Sequence, residues 1–419
     1  MTSGGSKAPL VMLATLVFCY FLSQFFRGSV GVLGPDLMRD IGLSPQALGD
    51  LGGSFFLAFA LAQVPIGILL DRFGPRCVVS IVVCAALVGA LVFASAEDVG
   101  TLVFGRVLIG LGCAPLYMGS LVVLSRWVSP DRFSASAGQI LAFGGLGGLL
   151  ATTPLALANA YLGWRIAFVA MALVTALTAA AIWTFVRDAP AGHPFFRRQP
   201  ETLRMALAGV VDVLRIRRLF LIFPINSVGY ASLLTVLTLW GAPYMKDVHG
   251  LDDVARGNVL LIMTLAWMAG SMVIGRLERI LNTRKWLILA CVGTTAGLCI
   301  VQAALPPSPF LLVAVVMGAM GFSGASGVVI IAHAKSLLPE RLVGRGLTLN
   351  NLFGFGGAAV LQMVSGRIIG AFPVSADGAA PGEAYTAMFF FLAAVLTVAG
   401  LIYLRIPDAP PRPLENVRA

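Results

Sequence analysis

Two arginines, Arg27 and Arg106, stand inside long apolar stretches of this sequence, whereas its 19 acidic residues fall in predicted loops or near the ends of predicted helices. An arginine at the centre of a membrane helix costs about 2.5–3.5 kcal/mol on insertion scales, so such a residue usually has a function. A guanidinium binds a carboxylate or a phosphate through two parallel hydrogen bonds. The pattern therefore predicts that the chain binds an anion supplied from outside.

The composition places the chain in a lipid bilayer. Hydrophobic residues make up 58% of the sequence and charged residues 11%, and the mean hydropathy is +0.91. Soluble domains carry about 25% charged residues. A spanning helix needs about 20 apolar residues, so a chain of 419 residues has room for twelve spans and their loops.

Twelve apolar stretches predict twelve membrane-spanning helices and thus an all-α membrane protein. They lie near residues 9–34, 47–70, 77–96, 99–125, 133–160, 164–187, 219–245, 257–278, 286–305, 310–337, 343–371 and 384–406. An even number of spans puts both termini on one side of the membrane.

The Lys and Arg residues orient these helices. If the termini are cytoplasmic, most of the 29 basic residues lie on the cytoplasmic side, and the opposite loops hold only Arg39, Lys246 and Arg256. This asymmetry follows the positive-inside rule. We therefore expect a multi-pass protein of the cell (inner) membrane with both termini in the cytoplasm. The net charge of +10 then reflects topology and contact with anionic lipid headgroups, not nucleic-acid binding.

The chain divides into two similar halves. A polar stretch at 188–218 is predicted to be a cytoplasmic linker between two six-helix bundles, at 1–187 and 219–419. The segment Gly67-Ile-Leu-Leu-Asp-Arg-Phe-Gly-Pro-Arg76 is echoed 208 residues later by Gly275-Arg-Leu-Glu-Arg-Ile-Leu-Asn-Thr-Arg284. Asn282 replaces Gly74 in this alignment, and asparagine tolerates the left-handed backbone conformation better than most residues.

A second echo supports the same duplication. The glycine string at 145–148 matches the string at 354–357 at an offset of 209. Repeated halves are a hallmark of secondary transporters.

The loop after the second helix resembles a signature of the major facilitator superfamily. Gly67, Asp71, Arg72, Gly74 and Arg76 match its GxLxDRxGxR pattern. The resemblance implies that superfamily's fold of two pseudo-symmetric six-helix bundles. It also implies that Asp71 lies near the positive dipole end of the eleventh helix and latches the two halves on the cytoplasmic side. Arg72, Arg76 and Arg126 would hold Asp71 by ion pairing; the alternative is that these charges only set the topology.

Two further segments carry the resemblance. Arg106, Gly110 and Gly112 match the RxxxGxG pattern of the fourth helix, where the arginine takes part either in coupling or in structure. In the first helix, Arg27-Gly-Ser29 and the segment from Pro35 to Met38 resemble the organic-anion branch, which includes anion:cation symporters and oxalate/formate exchangers. Cys113 stands where those relatives often carry a glutamate that binds a proton.

One face of the first helix is the candidate substrate site. Tyr20, Gln24 and Arg27 share that face by their spacing. By the resemblance, the first, fourth, seventh and tenth helices line a central cavity. That adds Tyr117, Asn226 and Tyr230 as lining residues, although interhelical hydrogen bonds would explain each of them as well. His333, near the cytoplasmic end of the tenth helix, is either a proton carrier or a structural histidine.

The leading hypothesis is a secondary active transporter that moves a small organic anion, a carboxylate, by alternating access. A proton or a counter-anion would supply the energy, because the chain has no Walker-type phosphate loop. The alternatives are an efflux transporter of drug-like, neutral or zwitterionic solutes such as an amino acid or short peptide, and a membrane scaffold or sensor that transports nothing. The sequence predicts no enzyme, cofactor or metal site, and it implies no oligomer.

Overall fold

The computed structural model describes residues 10–190, 192–193, 211–339, 342–375 and 379–411. Within these residues it contains twelve helices that are long and apolar enough to cross a membrane. In chain order the uninterrupted ones are α1 Leu10–Ile41, α2 Pro45–Phe73, α3 Pro75–Ala94, α4 Val99–Trp127, α6 Trp164–Phe185, α8 Asp253–Ile280, α9 Lys285–Ala304, α11 Val343–Ile369 and α12 Gly382–Tyr403.

The remaining three spans are interrupted. The α5 span consists of Pro130–Gly144, Leu146–Leu150 and Thr153–Leu162. In α7, a π-helical turn at Val236–Trp240 joins Leu219–Thr235 to Gly241–Asp247; in α10, a 3-10 turn at Gly324–Ser326 joins Phe310–Ser323 to Gly327–Ser336. The twelve predicted spans are thus confirmed, and the predicted all-α membrane fold with them.

The end of α1 corrects one expectation. The sequence placed Asp36 beyond the first span, but α1 continues through Pro35 to Ile41. Asp36 is therefore inside the helix, is only 5% exposed, and pairs with Arg39 at 2.9 Å. Proline is tolerated in membrane helices because neighbouring groups can satisfy the freed backbone carbonyl.

The chain forms two compact units whose boundaries fall inside α1 and α2. The first unit contains the described residues of Met1–Ser29 and Leu57–Leu207, and the second those of Val30–Phe56 and Ala208–Ala419. The predicted division at 1–187, 188–218 and 219–419 stays a prediction, and residues 191 and 194–210 of its linker lie outside the described residues.

In the second unit, the first turns of α2 pack tightly against the end of α11. A Cβ atom at Gly49 would lie 2.8 Å from Cα of Gly366, so the two backbones touch at this point. Close by, Arg367 Nη1 donates to Asp50 Oδ1 at 3.0 Å. Glycine at this crossing is required because any side chain would push the helices apart.

Glycines also bring α5 against α1 in the first unit, and α11 against α7 in the second. A Cβ at Gly147 would lie 2.0 Å from the carbonyl oxygen of Phe21, and one at Gly357 would lie 1.8 Å from that of Ser227. A turn earlier, Gly144 meets Tyr20, and its counterpart Gly354 meets the amide of Asn226.

These contacts define the register of the repeat. The matching glycines are 210 residues apart and their partners 206 apart, so the offset of 209 expected from the glycine strings is wrong by one residue. Gly148 and Gly356, which belong to those strings, have open space where a Cβ atom would be.

The loops before α3 and α9 confirm the other echo. Gly74 has φ 84° and Asn282 has φ 47°, so both adopt the left-handed conformation expected from their alignment. In each loop an aspartate from just beyond the last helix of the same half receives the following backbone N–H groups. Asp188 accepts from Arg76 at 2.7 Å, and Asp408 accepts from Arg284 at 3.1 Å.

Candidate functional site

The predicted face of α1 is buried. Arg27 and Gln24 are each 7% exposed, and Tyr20 is 8% exposed. Because Gly144 in α5 lacks a side chain, the Tyr20 ring can lie directly against that helix. The three side chains thus face protein and not lipid, as their polarity requires.

Aromatic rings surround this face. The Arg27 guanidinium lies over the ring of Phe59 in α2, 5.3 Å from its centroid, in a cation–π arrangement. The Tyr20 ring is tilted against that of Tyr117 in α4, with centroids 4.6 Å apart. The spacing of residues along α1 predicted which side chains share this face of the helix. It could not predict Phe59, because that residue belongs to α2.

Gln24 has a buried acceptor that the protein leaves unused. Its Oε1 atom is shielded from solvent and accepts no hydrogen bond from any residue that the structure describes. An unmet buried acceptor costs about 1–3 kcal/mol. The amide is therefore placed to accept a hydrogen bond from a group that is not part of this unit's fold.

Arg106 supports the turn of α1 that carries Arg27. Its side chain is 1% exposed, and Nη1 donates to the carbonyl oxygen of Phe26, the residue before Arg27, at 2.7 Å. Of the two roles left open by the sequence, this contact favours the structural one. A coupling role for Arg106 stays untested.

The spans of the first unit carry an excess of positive charge around this face. Within the described spans of that unit, with α5 counted from Ser136, the sequence holds one acidic residue, Asp71, in the last turn of α2; Asp131 precedes this part of α5. The buried guanidiniums of Arg27 and Arg106 therefore produce a positive local potential, which favours an anionic ligand over a cationic one.

Two predicted lining residues, Asn226 and Tyr230, belong to the second unit. The Asn226 amide is committed to α11: Nδ2 donates to the carbonyl oxygen of Asn350 at 2.6 Å. Tyr230 is half-buried and stacks on Trp267 of α8, with centroids 5.9 Å apart, and it meets Phe355 of α11 edge-on at 6.4 Å. Asn226 thus has a structural contact, and the sequence gave no indication of the Tyr230–Trp267 stack.

His333 is fully buried in α10 and its Nδ1 shares a short hydrogen bond with the hydroxyl of Tyr403 in α12. Glu278, Arg284 and Asp408 lie within electrostatic range of the ring. These contacts favour the structural role for His333, while proton transfer by it stays untested.

Two of the arginines predicted to form the latch, Arg76 and Arg126, bond to the end of α6 and to the residues that follow it. Arg76 donates from Nε and Nη2 to the carbonyl oxygen of Trp183, at 2.9 and 2.7 Å, and Arg126 donates to the carbonyl oxygen of Asp188 at 3.4 Å. The sequence analysis missed Asp188. The latch through Asp71 and Arg72 stays a prediction, as does the contribution of Gly67.

Asp408 is the clearest electrostatic feature outside the spans. Burial alone would raise the pKa of its carboxyl group, but the N–H groups of Lys285 and Arg284 and the hydroxyl of Thr283 donate to it. Together they hold the pKa of Asp408 below its ordinary value. The ionised carboxylate thus caps the start of α9.

Comparison with known families agrees with this architecture. The family model described as Major Facilitator Superfamily matches residues 16–360 and again 242–419. The chain belongs to the major facilitator superfamily. As a member of this superfamily of transporters it is not an enzyme, and it is a multi-pass membrane protein.

Several relatives of this superfamily member carry names of organic-acid transporters. The probable galactarate/D-glucarate transporter GudP of Bacillus subtilis (strain 168) is 24% identical over 412 residues, which cover 88% of each chain. The probable L-galactonate transporter of Escherichia coli (strain K12) is 23% identical over 380 residues, covering 84% of this chain and 82% of the relative.

A solved structure confirms the fold. The crystal structure of the nucleoside transporter NupG aligns with a TM-score of 0.74, covering 94% of this chain and 100% of that one at 14% identity. At that identity the likeness concerns the fold alone.

Proposed function

We propose that this protein is a secondary active transporter of a small organic anion, a carboxylate, and that Arg27 binds the anionic group. The observation that carries the proposal is the burial of the Arg27 guanidinium over the ring of Phe59, beside Gln24. A guanidinium held in an apolar, low-dielectric environment binds a carboxylate more strongly than it would in water.

The relatives support the same substrate class. GudP and the L-galactonate transporter are named for sugar acids, which carry carboxylates, and they match most of this chain. A cation exporter would be expected to bind its substrate with an embedded carboxylate, whereas Asp71 stands at the end of its helix and the buried Asp36 of α1 pairs with Arg39.

The proposed mechanism is alternating access driven by an ion gradient. The duplicated halves support it, because transporters with repeats work by moving one repeat against the other. The contact of Arg106 with the Phe26 carbonyl would keep the backbone next to Arg27 in place during that motion. The proposal includes an inner-membrane location with both termini in the cytoplasm, following the distribution of Lys and Arg.

Uptake into proteoliposomes tests the proposal. We would compare D-glucarate, D-galactonate and lactate with neutral galactose and the lipophilic cation tetraphenylphosphonium, using wild type, Arg27→Gln and Arg27→Lys. Wild type should take up at least one of the acids saturably. Loss of a charged hydrogen-bonding partner predicts a roughly 10- to 100-fold weaker apparent affinity in Arg27→Gln. Lysine keeps the charge but not the two-pronged geometry, so Arg27→Lys should fall between.

The matched control is Arg165→Gln. Arg165 also stacks on an aromatic ring, that of Trp164 at 4.1 Å, but it is exposed and donates to the carbonyl oxygen of Ala96. Acid uptake should survive this change. Uptake of galactose or of the cation that persists in Arg27→Gln, with no acid transported by wild type, would contradict the proposal.

A further inference from the structure

The unused acceptor of Gln24 restricts which anion fits beside Arg27. Gln24 is more than nine-tenths buried, and its Oε1 accepts no hydrogen bond from the described part of the chain. Another buried glutamine in the same unit, Gln63, has a protein partner, because its Nε2 donates to the carbonyl oxygen of Phe59 at 3.2 Å. Gln362 in the second unit also has an unmet Oε1, but its Nε2 donates to Thr238 Oγ1 at 3.0 Å, which gives that side chain a structural contact.

The position of Gln24 sets the distance between the two groups of the ligand. Gln24 and Arg27 are three residues apart on α1, and Cβ atoms at this spacing on a helix are about 5–6 Å apart. A small anion bound by the guanidinium reaches the amide most directly with a group on the carbon next to its carboxylate. That group must be a hydrogen-bond donor, since Oε1 is an acceptor.

Charge selects between the two common donors at that position, a hydroxyl and an ammonium. An ammonium would be placed close to the guanidinium of Arg27, with Arg106 nearby on α4 bonded to Phe26. In the described spans of this unit, with α5 counted from Ser136, Asp71 in the last turn of α2 is the acidic residue that could offset that repulsion. A hydroxyl donates the same hydrogen bond without this cost.

We propose that Gln24 is a specificity-determining residue that accepts a hydrogen bond from the hydroxyl of a 2-hydroxycarboxylate whose carboxylate binds Arg27. This inference rests on the proposed function and narrows its substrate class. A site built to hydrogen-bond a substrate hydroxyl discriminates against an analogue that lacks it, because its buried polar group is then left unmet.

Two matched trios of probes test the inference on the purified full-length protein. The first is lactate, propanoate and alanine; the second is 2-hydroxyhexanoate, hexanoate and 2-aminohexanoate. Their dissociation constants would be taken from the concentration dependence of ligand-induced thermal stabilisation. Wild type should bind each hydroxy acid about tenfold or more tightly than the plain acid and the amino acid.

The variants Gln24→Leu and Gln24→Met should bring the ratio of hydroxy acid to plain acid close to one, by weakening the hydroxy acid without weakening the plain acid. Methionine nearly matches glutamine in size, so it serves if leucine disturbs folding. The control Gln63→Leu should leave the ratio as in wild type. A ratio that stays unchanged in a folded Gln24→Met protein would overturn the inference.

Other outcomes separate this inference from the proposed function. If Arg27→Gln no longer binds any of the acids while Gln24→Met keeps the wild-type ratio of hydroxy-acid to plain-acid affinity, the inference fails and the proposed function stands. Preference for alanine and 2-aminohexanoate over the hydroxy acids would also overturn it, since the donor would then be an ammonium. If every acid binds Arg27→Gln as tightly as wild type, or none binds wild type, the proposed function fails and this inference with it.

Discussion

Gly147 in α5 touches the backbone of Phe21 in α1, so closely that a Cβ atom on the glycine would lie 2.0 Å from the phenylalanine carbonyl oxygen. The second half repeats this contact between Gly357 in α11 and Ser227 in α7. The contacted residues, Phe21 and Ser227, directly follow Tyr20 of the candidate face and its counterpart Asn226. The glycine contact is present in both halves, and it fixes the position along α1 and α7 at which the neighbouring helix crosses, next to their polar residues.

We predict that Gly147→Ala and Gly357→Ala each lower stability by about 1–3 kcal/mol, because the added methyl group forces the helix pair apart. The controls are Gly148→Ala and Gly356→Ala, whose Cβ atoms would meet open space. These should be neutral or stabilise by about 0.4–1 kcal/mol, since alanine loses less backbone entropy on folding than glycine does. Thermal unfolding in detergent measures both pairs, and equal effects at all four positions would contradict the prediction.

Removing the charge of each buried arginine should affect a different property: protein stability for Arg106 and acid binding for Arg27. Arg106→Gln loses the donor to the Phe26 carbonyl, and we expect the melting temperature to fall. Arg27→Gln loses the cation–π contact with Phe59 but keeps the hydrogen bond from Arg106 to the backbone of α1, so it should lower the melting temperature of unliganded protein less than Arg106→Gln does, while losing acid binding. Melting curves with and without acid, combined with uptake per folded molecule, separate these effects. An Arg106→Gln protein of wild-type stability whose uptake no longer depends on a pH gradient would assign Arg106 to coupling instead.

Asp408→Asn should lower stability by about 1 kcal/mol, which is below the range of about 1.5–3 kcal/mol for hydrogen bonds to a charged group, because Asp408 is partly exposed. The pKa of Asp408 is held below its ordinary value in the folded protein. Its contribution is therefore fully present above the ordinary aspartate pKa of about 3.9 and is lost as the pH falls below that value.

Melting curves of wild type and Asp408→Asn between pH 7 and pH 3 would measure this difference, which should shrink toward the acid end. The exposed loop residue Glu97 provides the control Glu97→Gln. A difference that grows as the pH falls would show that the sign is wrong.

The pair formed by Asp50 and Arg367 should contribute about 0–1 kcal/mol, because both side chains are substantially exposed, at 40% and 58%. A double-mutant cycle with Asp50→Asn and Arg367→Gln gives the coupling energy directly. That energy should decrease when the salt concentration rises from 0.05 to 0.5 M, a range chosen to shorten the screening length. A coupling well above 1 kcal/mol at high salt would mean that the pair is shielded from solvent.

Much of the fold could be predicted because hydropathy is a local property of the sequence. Each of the twelve spans shows as an apolar stretch, and the left-handed conformation of Asn282 follows from its alignment with Gly74. The end of α1 was wrong because the predicted span followed the apolar stretch, whereas the helix continues beyond it through Pro35 to Ile41. The glycine register was wrong by one because matching letters do not reveal which side of a helix touches its neighbour.

The candidate site could be predicted only along one helix. The shared face of Tyr20, Gln24 and Arg27 follows from helical spacing. Phe59 and Asp188 could not be predicted in this way, because they contact their partners from distant parts of the chain, and helical spacing gives no information on such contacts. Asn226 was assigned to the substrate, but the structure gives its amide a partner in α11.

The loop between α7 and α8 accounts for a difference in length between the two halves. From Phe21 to Gly74 the first half is two residues shorter than the second half from Ser227 to Asn282. Ile41, the last residue of α1, follows Phe21 by 20 residues, and Asp247, the last residue of α7, follows Ser227 by the same 20. The loop 248–252 is two residues longer than the loop 42–44, so the π-helical turn at Val236–Trp240 adds no net length to α7. The paired helices have thus kept equal lengths in the two halves, and the change in length is confined to a loop.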